Sequence, residues 1–196
     1  MNQTATLAVA QPKVLADVVS NSRARDAALV LGAALLTAAC AQIAFPFPGS
    51  PVPVTGQTFA VLLTGAALGA NRGALGQLLY VAMGLVGLPF YADGAHGVDV
   101  VFGATGGYLV AFPFAAWVCG RLAEARFDRT PLKALPAFTV GSLIVFAVGV
   151  PWLAVAADFT MAEAIDKGFV PFILGGILKA VLAAGLLPTA WKLANR

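Results

Sequence analysis

The side chain with the most chemical potential is Lys179, set in the apolar stretch PFILGGILKAVLAAGLL. An ammonium inside such a run costs about 2.5–3.5 kcal/mol on membrane-insertion scales, so it needs a partner or a wet cavity. Snorkelling relieves a lysine near a helix end, and Lys179 is far from both ends of its run. No Asp or Glu inside the other apolar runs offers a counter-ion, which favours a role as donor to an anionic or carbonyl group of a ligand. Other reactive groups are sparse. His96 is the one histidine, and Cys40 and Cys119 sit in separate apolar runs without metal-ligand spacing. There is no G-x-x-x-x-G-K-[ST], H-E-x-x-H or G-x-S-x-G. Phosphate-loop ATP hydrolysis, zinc proteolysis and serine-hydrolase chemistry have no foundation, and the chain reads as a non-enzyme without a cofactor or metal. An intramembrane hydrolase, one rival class, would lack a recognisable nucleophile–base pair.

The elements that hold Lys179 follow from composition. The 196 residues are 60% hydrophobic and 11% charged, against about 45–50% and about 25% in ordinary globular domains. That much apolar surface implies an integral membrane protein. Spans need about 20 mostly apolar residues, and six runs qualify or nearly so: 27–45, 58–70 (short), 73–90, 105–120, 135–157 and 170–193. The ten-residue alternation of a β-barrel is absent. The expected fold is therefore all-α, a six-helix membrane bundle over residues 26–196. Residues 1–25 form a cytoplasmic lead-in with a short amphipathic helix around 14–19, and lack the features of a signal peptide.

Charge sets the orientation. Lys13, Arg23, Arg25, Arg72, Arg121, Arg126, Arg129, Lys133, Lys192 and Arg196 fall on one side, and only Lys167 on the other. By the positive-inside rule both termini are cytoplasmic. The net charge of +3 thus reflects topology and not a nucleic-acid partner. The connections 46–56, 91–103 and 158–169 face outward. The first begins within FPFPGSPVPVTGQTF, with prolines at 46, 48, 51 and 53 and no charge. Proline fixes φ and lacks an amide donor, so this segment is a stiff loop. It suits a lid over a small, partly apolar ligand, and equally a tight connector against helix ends. FGATGGYLVAF opens the fourth run. Gly106 and Gly107 permit close approach of a ligand to the helix N-terminus beside Tyr108, or close helix packing. In the first run Ala34 and Ala38 have small-xxx-small spacing, for packing inside the chain or against another subunit.

PVPVTGQTFAVLLTGAALGANRGALGQLLYVAMGLVGLPFYADG, GATGGYLVAF and PFILGGILKAVLAA, in that order over residues 43–184, closely resemble the BioY family, the biotin-binding S components of energy-coupling-factor (ECF) vitamin transporters. The resemblance implies a six-helix S-component fold in the cell inner membrane, with biotin held near the outer face under the first loop. It also implies a membrane coupling subunit and two ABC-type ATPases as partners, with Ala34 and Ala38 on the docking surface, and leaves a homo-oligomer open. Lys179 matches the lysine of the family's last-helix motif. That motif usually has Asp three residues earlier, where this chain has Gly176, and Asp93 is the candidate substitute. The implied biotin site comprises Lys179, Thr55, Gln57, Tyr91, Asp93, Gly106, Gly107 and Tyr108. The departure at Gly176 keeps a second reading alive, an S component for a different small vitamin, and a solitary or oligomeric vitamin transporter is the other alternative.

Overall fold

Glycine sets some of the helix ends in this chain, whereas Pro113, Pro136, Pro151 and Pro188 lie inside helices. The structure, a computed structural model, describes residues 13–18 and 22–194. Most of the expected lead-in over residues 1–25 lies outside the described residues, as does the basic Arg196. Among the described residues there are eight α-helices: α1 (Arg23–Ala41), α2 (Gln57–Leu68), α3 (Ala70–Leu85), α4 (Val98–Phe102), α5 (Gly106–Glu124), α6 (Pro131–Ala156), α7 (Met161–Gly168) and α8 (Phe172–Ala194). Four of them, α1, α5, α6 and α8, are long and apolar enough to cross a membrane. The segment expected as an amphipathic helix around 14–19 is a 3-10 turn over Leu15–Val18, and Val19 falls outside the described residues.

Two boundaries differ from the sequence reading for identifiable reasons. The first helix does not reach Phe45: it ends at Ala41, and Ala44–Phe45 (β1) pairs antiparallel with Val54–Thr55 (β2), Ala44 opposite Thr55 and Phe45 opposite Val54. The proline segment is thus the loop of a small β-hairpin, a non-helical exception to the all-α expectation. Arg72, expected in a connection, lies in the first turn of α3, because α2 and α3 are separated only by Gly69 at φ +87°. A residue with a Cβ rarely adopts that conformation.

Helix α5 is the centre of the bundle, buried over far more of its length than α1, α6 or α8. It packs on α2, α3 and α6, while α8 leans on α6 and α2. Contacts rest on small residues, which let backbones approach where lipid removes the usual hydrophobic drive. A Cβ on Gly65 would strike the Ala116 backbone, one on Gly120 the Gly69–Ala70 backbone, and one on Gly76 the Ala33 side chain. Polar groups join α1, α2 and α3: the buried Gln77 amide donates to Thr37 Oγ1 and Thr64 Oγ1, both at 3.1 Å. Leu35, Leu143, Ile177 and Val181 face outward, as lipid-facing positions must. Ala34 and Ala38 are not on that outer surface. They are buried, and the chain's own α2 and α3 are the neighbours of α1.

Candidate binding site

A largely apolar cavity of about 200 Å³ lies between the hairpin, α5, α6 and α8. Its walls follow helical periodicity. Phe172, Gly176 and Lys179 of α8 are spaced i, i+4, i+7 and share a face. Ser142, Val145 and Phe146 of α6 line it at i, i+3, i+4, and Tyr108, Leu109 and Phe112 of α5 at i, i+1, i+4. Val52, Pro53 and Thr55 close it on the hairpin side. The lid reading of the proline segment is therefore available to it sterically. Ser50 stiffens the loop further, its hydroxyl accepting from Val52 N and donating to Val52 O, both at 3.1 Å.

Lys179 lies seven residues into α8, about 10 Å along the axis at 1.5 Å per residue. It reaches into the bundle and not toward lipid. Its ammonium donates to Thr55 O at 2.5 Å and to Thr58 Oγ1 at 2.9 Å. Those acceptors flank the start of α2, where Thr55 Oγ1 also accepts from Gln57 N at 3.4 Å. A helix start presents free amides and the positive end of the dipole. Two positive features therefore converge on one end of the cavity, a place for a ligand oxygen or carboxylate.

The remaining polar groups are held from behind. Thr55 Oγ1 donates to Gln57 Oε1 at 2.7 Å, and Gln57 Nε2 donates to Tyr80 Oη at 2.5 Å. Tyr80 meets Tyr91 edge to face, centroids 5.7 Å apart, and stacks on Phe112. Tyr91 donates to Val81 O at 2.7 Å, and its own carbonyl accepts from Gln42 Nε2 at 3.1 Å. Burial pushes the Tyr91 phenol up to about 12, so it is neutral at physiological pH. Asp93 sits in a tight turn closed by Tyr91 N donating to Ala95 O. Its φ of +56° is a left-handed conformation that Asp tolerates better than most residues. Tyr108 donates to Gly168 O at 2.9 Å and packs against Phe146 and Phe172, making an aromatic wall.

Six of the residues singled out in the sequence thus meet on one cavity: Lys179, Thr55, Gln57, Tyr91, Asp93 and Tyr108. Gly106 and Gly107 are not among its lining residues. A Cβ on Gly106 would strike the Val101 carbonyl of α4, and one on Gly107 the Trp152 side chain of α6, whose Nε1 donates to Gly103 O at 2.9 Å. Sequence reasoning passed over Thr58, Ser142, Phe112, Phe146 and Phe172. The i, i+4, i+7 spacing back from Lys179 points to Phe172 and Gly176, whereas nothing in the sequence pairs α6 with that face. Gly176 itself lines the cavity, and a Cβ there would meet nothing within 4 Å.

The chain is similar to known proteins. The model of the BioY family matches residues 10–196. The chain belongs to the BioY family. Among BioY relatives, the biotin transporter BioY2 of Lactococcus lactis subsp. cremoris is 36% identical over 157 residues, covering 79% of this chain and 82% of that protein. The biotin transporter BioY of Thermotoga maritima is 39% identical over 137 residues, 70% of this chain and 79% of that one. In three dimensions the chain superposes on the crystal structure of the S-component for biotin from an ECF-type ABC transporter. The TM-score is 0.80 at 22% identity, covering 88% of this chain and 95% of that one. That likeness shows a shared fold.

Proposed function

We propose that this BioY-family chain binds biotin in the cavity beneath the proline hairpin and carries it across the cytoplasmic membrane as the S component of an ECF-type transporter. The observation that carries the reading is the pairing of one half-buried ammonium with a largely apolar, aromatic-walled cavity closed by a stiff loop. Biotin has a carboxylate, a ureido ring wanting donors and acceptors, and an apolar thioether ring with an aliphatic tail. A mostly apolar pocket with a few placed polar groups is the form such a ligand needs. Lys179 gives a donor to a biotin oxygen, Gln57 and Asp93 offer acceptors for ureido N–H groups, and Tyr108, Phe146 and Phe172 pack the ring system.

Six crossings follow if the shorter α2 (12 residues) and α3 (16 residues) join the four long spans; the Gly69 turn leaves them antiparallel neighbours. The basic residues then place both termini in the cytoplasm and the hairpin outside. Coupling to a membrane subunit and two ATPases follows from the family, on α1. Since Ala34 and Ala38 are covered, the contact would use the exposed small residues beside them, such as Gly32, whose missing Cβ has only open space around it.

Titration of the purified protein with radiolabelled biotin tests the reading. Saturable binding, undiminished by other vitamins in excess, is expected; absence of saturable binding rejects it. The open space at Gly176 favours a second reading, an S component for another small vitamin. In that case biotin fails and a different vitamin saturates the protein.

A further inference from the structure

An ammonium has three N–H donors and no acceptor. In Lys179 two of them are engaged inside the chain, by the Thr55 carbonyl and the Thr58 hydroxyl. Among the described residues no carboxylate lies within 4.0 Å of that ammonium. One N–H therefore remains for a ligand. A free lysine side chain has four rotatable bonds and loses rotamer entropy on being fixed. Two acceptors on neighbouring residues remove that freedom in advance, which is how preorganisation raises affinity.

We propose that Thr58 is a positioning residue for the substrate: its hydroxyl, with the Thr55 carbonyl, fixes the Lys179 ammonium so that its remaining N–H meets the ligand. Thr58 suits the task because it stands in the first turn of α2, a rigid element, and not in the loop. A valine of the same shape would keep the packing and lose the acceptor, leaving a half-buried cation with one bond fewer. Thr55 is the last residue of β2, so the same tether joins the end of the lid to α8. The inference rests on the reading that Lys179 contacts a biotin oxygen.

The test is a double-mutant cycle on the purified full chain. Biotin affinity is measured for wild type, Thr58→Val, Thr58→Ala, Thr58→Ser, Lys179→Ala and Thr58→Val/Lys179→Ala. A hydrogen bond to a charged group predicts a loss of roughly tenfold for T58V and T58A, with T58S close to wild type. T58V should add less than about twofold in the K179A background, since removing the lysine removes what Thr58 acts through. Unchanged affinity in T58V and T58A, or an equal loss with and without Lys179, overturns the proposal. A ligand-free arm measures acetylation of Lys179 by an amine-reactive ester, read by mass spectrometry. Loss of the hydroxyl should speed labelling, T58S should not, and equal rates in all forms overturn the proposal. If wild type binds no biotin, the functional reading falls while the labelling arm still judges Thr58.

Discussion

Lys179 shows what a single residue declares by its cost. A cation in an apolar run signals a site by its place in the sequence alone, and in the folded chain it lies on a cavity beside Thr55 and Thr58. Lys179→Ala should weaken biotin binding at least about tenfold, or about 1.4 kcal/mol, measured by titration in detergent; near-unchanged affinity would remove Lys179 from the site. Tyr91 gives a second prediction. A Cβ on Gly84 would collide with the Tyr91 ring, so Gly84→Ala should push the ring off its place against Tyr80 and cut affinity several-fold. Tyr91→Phe, which keeps the ring and loses only the bond to Val81 O, should cost less. Glycines are less legible than Lys179. Whether a missing Cβ serves a ligand or a neighbouring helix depends on what stands opposite, and opposite Gly107 stands Trp152, 45 residues along the chain, while Gly106 meets the Val101 carbonyl of α4.

Among the elements, the proline hairpin is readable as stiff because φ restriction is a local property. Its strand pairing is not, since Ala44–Phe45 look like the apolar end of a helix and are claimed by Val54–Thr55 ten residues later. Register competition of that kind leaves no mark in periodicity. Converting Pro51 and Pro53 together to glycine should weaken biotin binding several-fold, because each change restores about 0.4–1 kcal/mol of backbone freedom that closure must remove. The loss should appear in the dissociation rate followed by stopped flow. An unchanged rate would make the segment a mere connector. The long spans are legible from their apolar length. The short α2 is not cleanly so, as its twelve residues are buried on most sides by α1, α3 and α5 and need not reach across the bilayer unaided.

For the molecule as a whole, the described part of the N-terminal segment is tied to the bundle by charge. Arg72 of α3 bridges Asp17 and Asp26, at 2.5 and 3.4 Å, and Arg129 stacks over Trp191 while its guanidinium donates to Lys13 O. Burial alone would raise the Asp17 carboxyl, but the bond from Arg72 and nearby amides hold it below its ordinary 3.8. A carboxyl lowered in the folded state stabilises above its unfolded value and loses that contribution as pH falls through the folded one. Hydrogen-exchange protection over residues 13–18, relative to the intrinsic rate at each pH, should thus be high at neutral pH and fall below about pH 4, and Arg72→Ala should lower protection at neutral pH. The overall architecture also predicts sidedness. In a variant lacking Cys40 and Cys119, a cysteine at Gly49 should react with an impermeant maleimide added to intact cells, and one at Arg126 only after lysis; the reverse pattern would invert the topology.

The ammonium of Lys179 leans on a main-chain oxygen at Thr55, and a main-chain oxygen survives every change of side chain. Replacements at Val52, Thr55 and Leu109 therefore reshape the chamber for new cargo while the cation keeps its berth. Retargeting this scaffold should be easier from the hairpin and α5 than from α8, where any exchange at 179 discards the anchor itself.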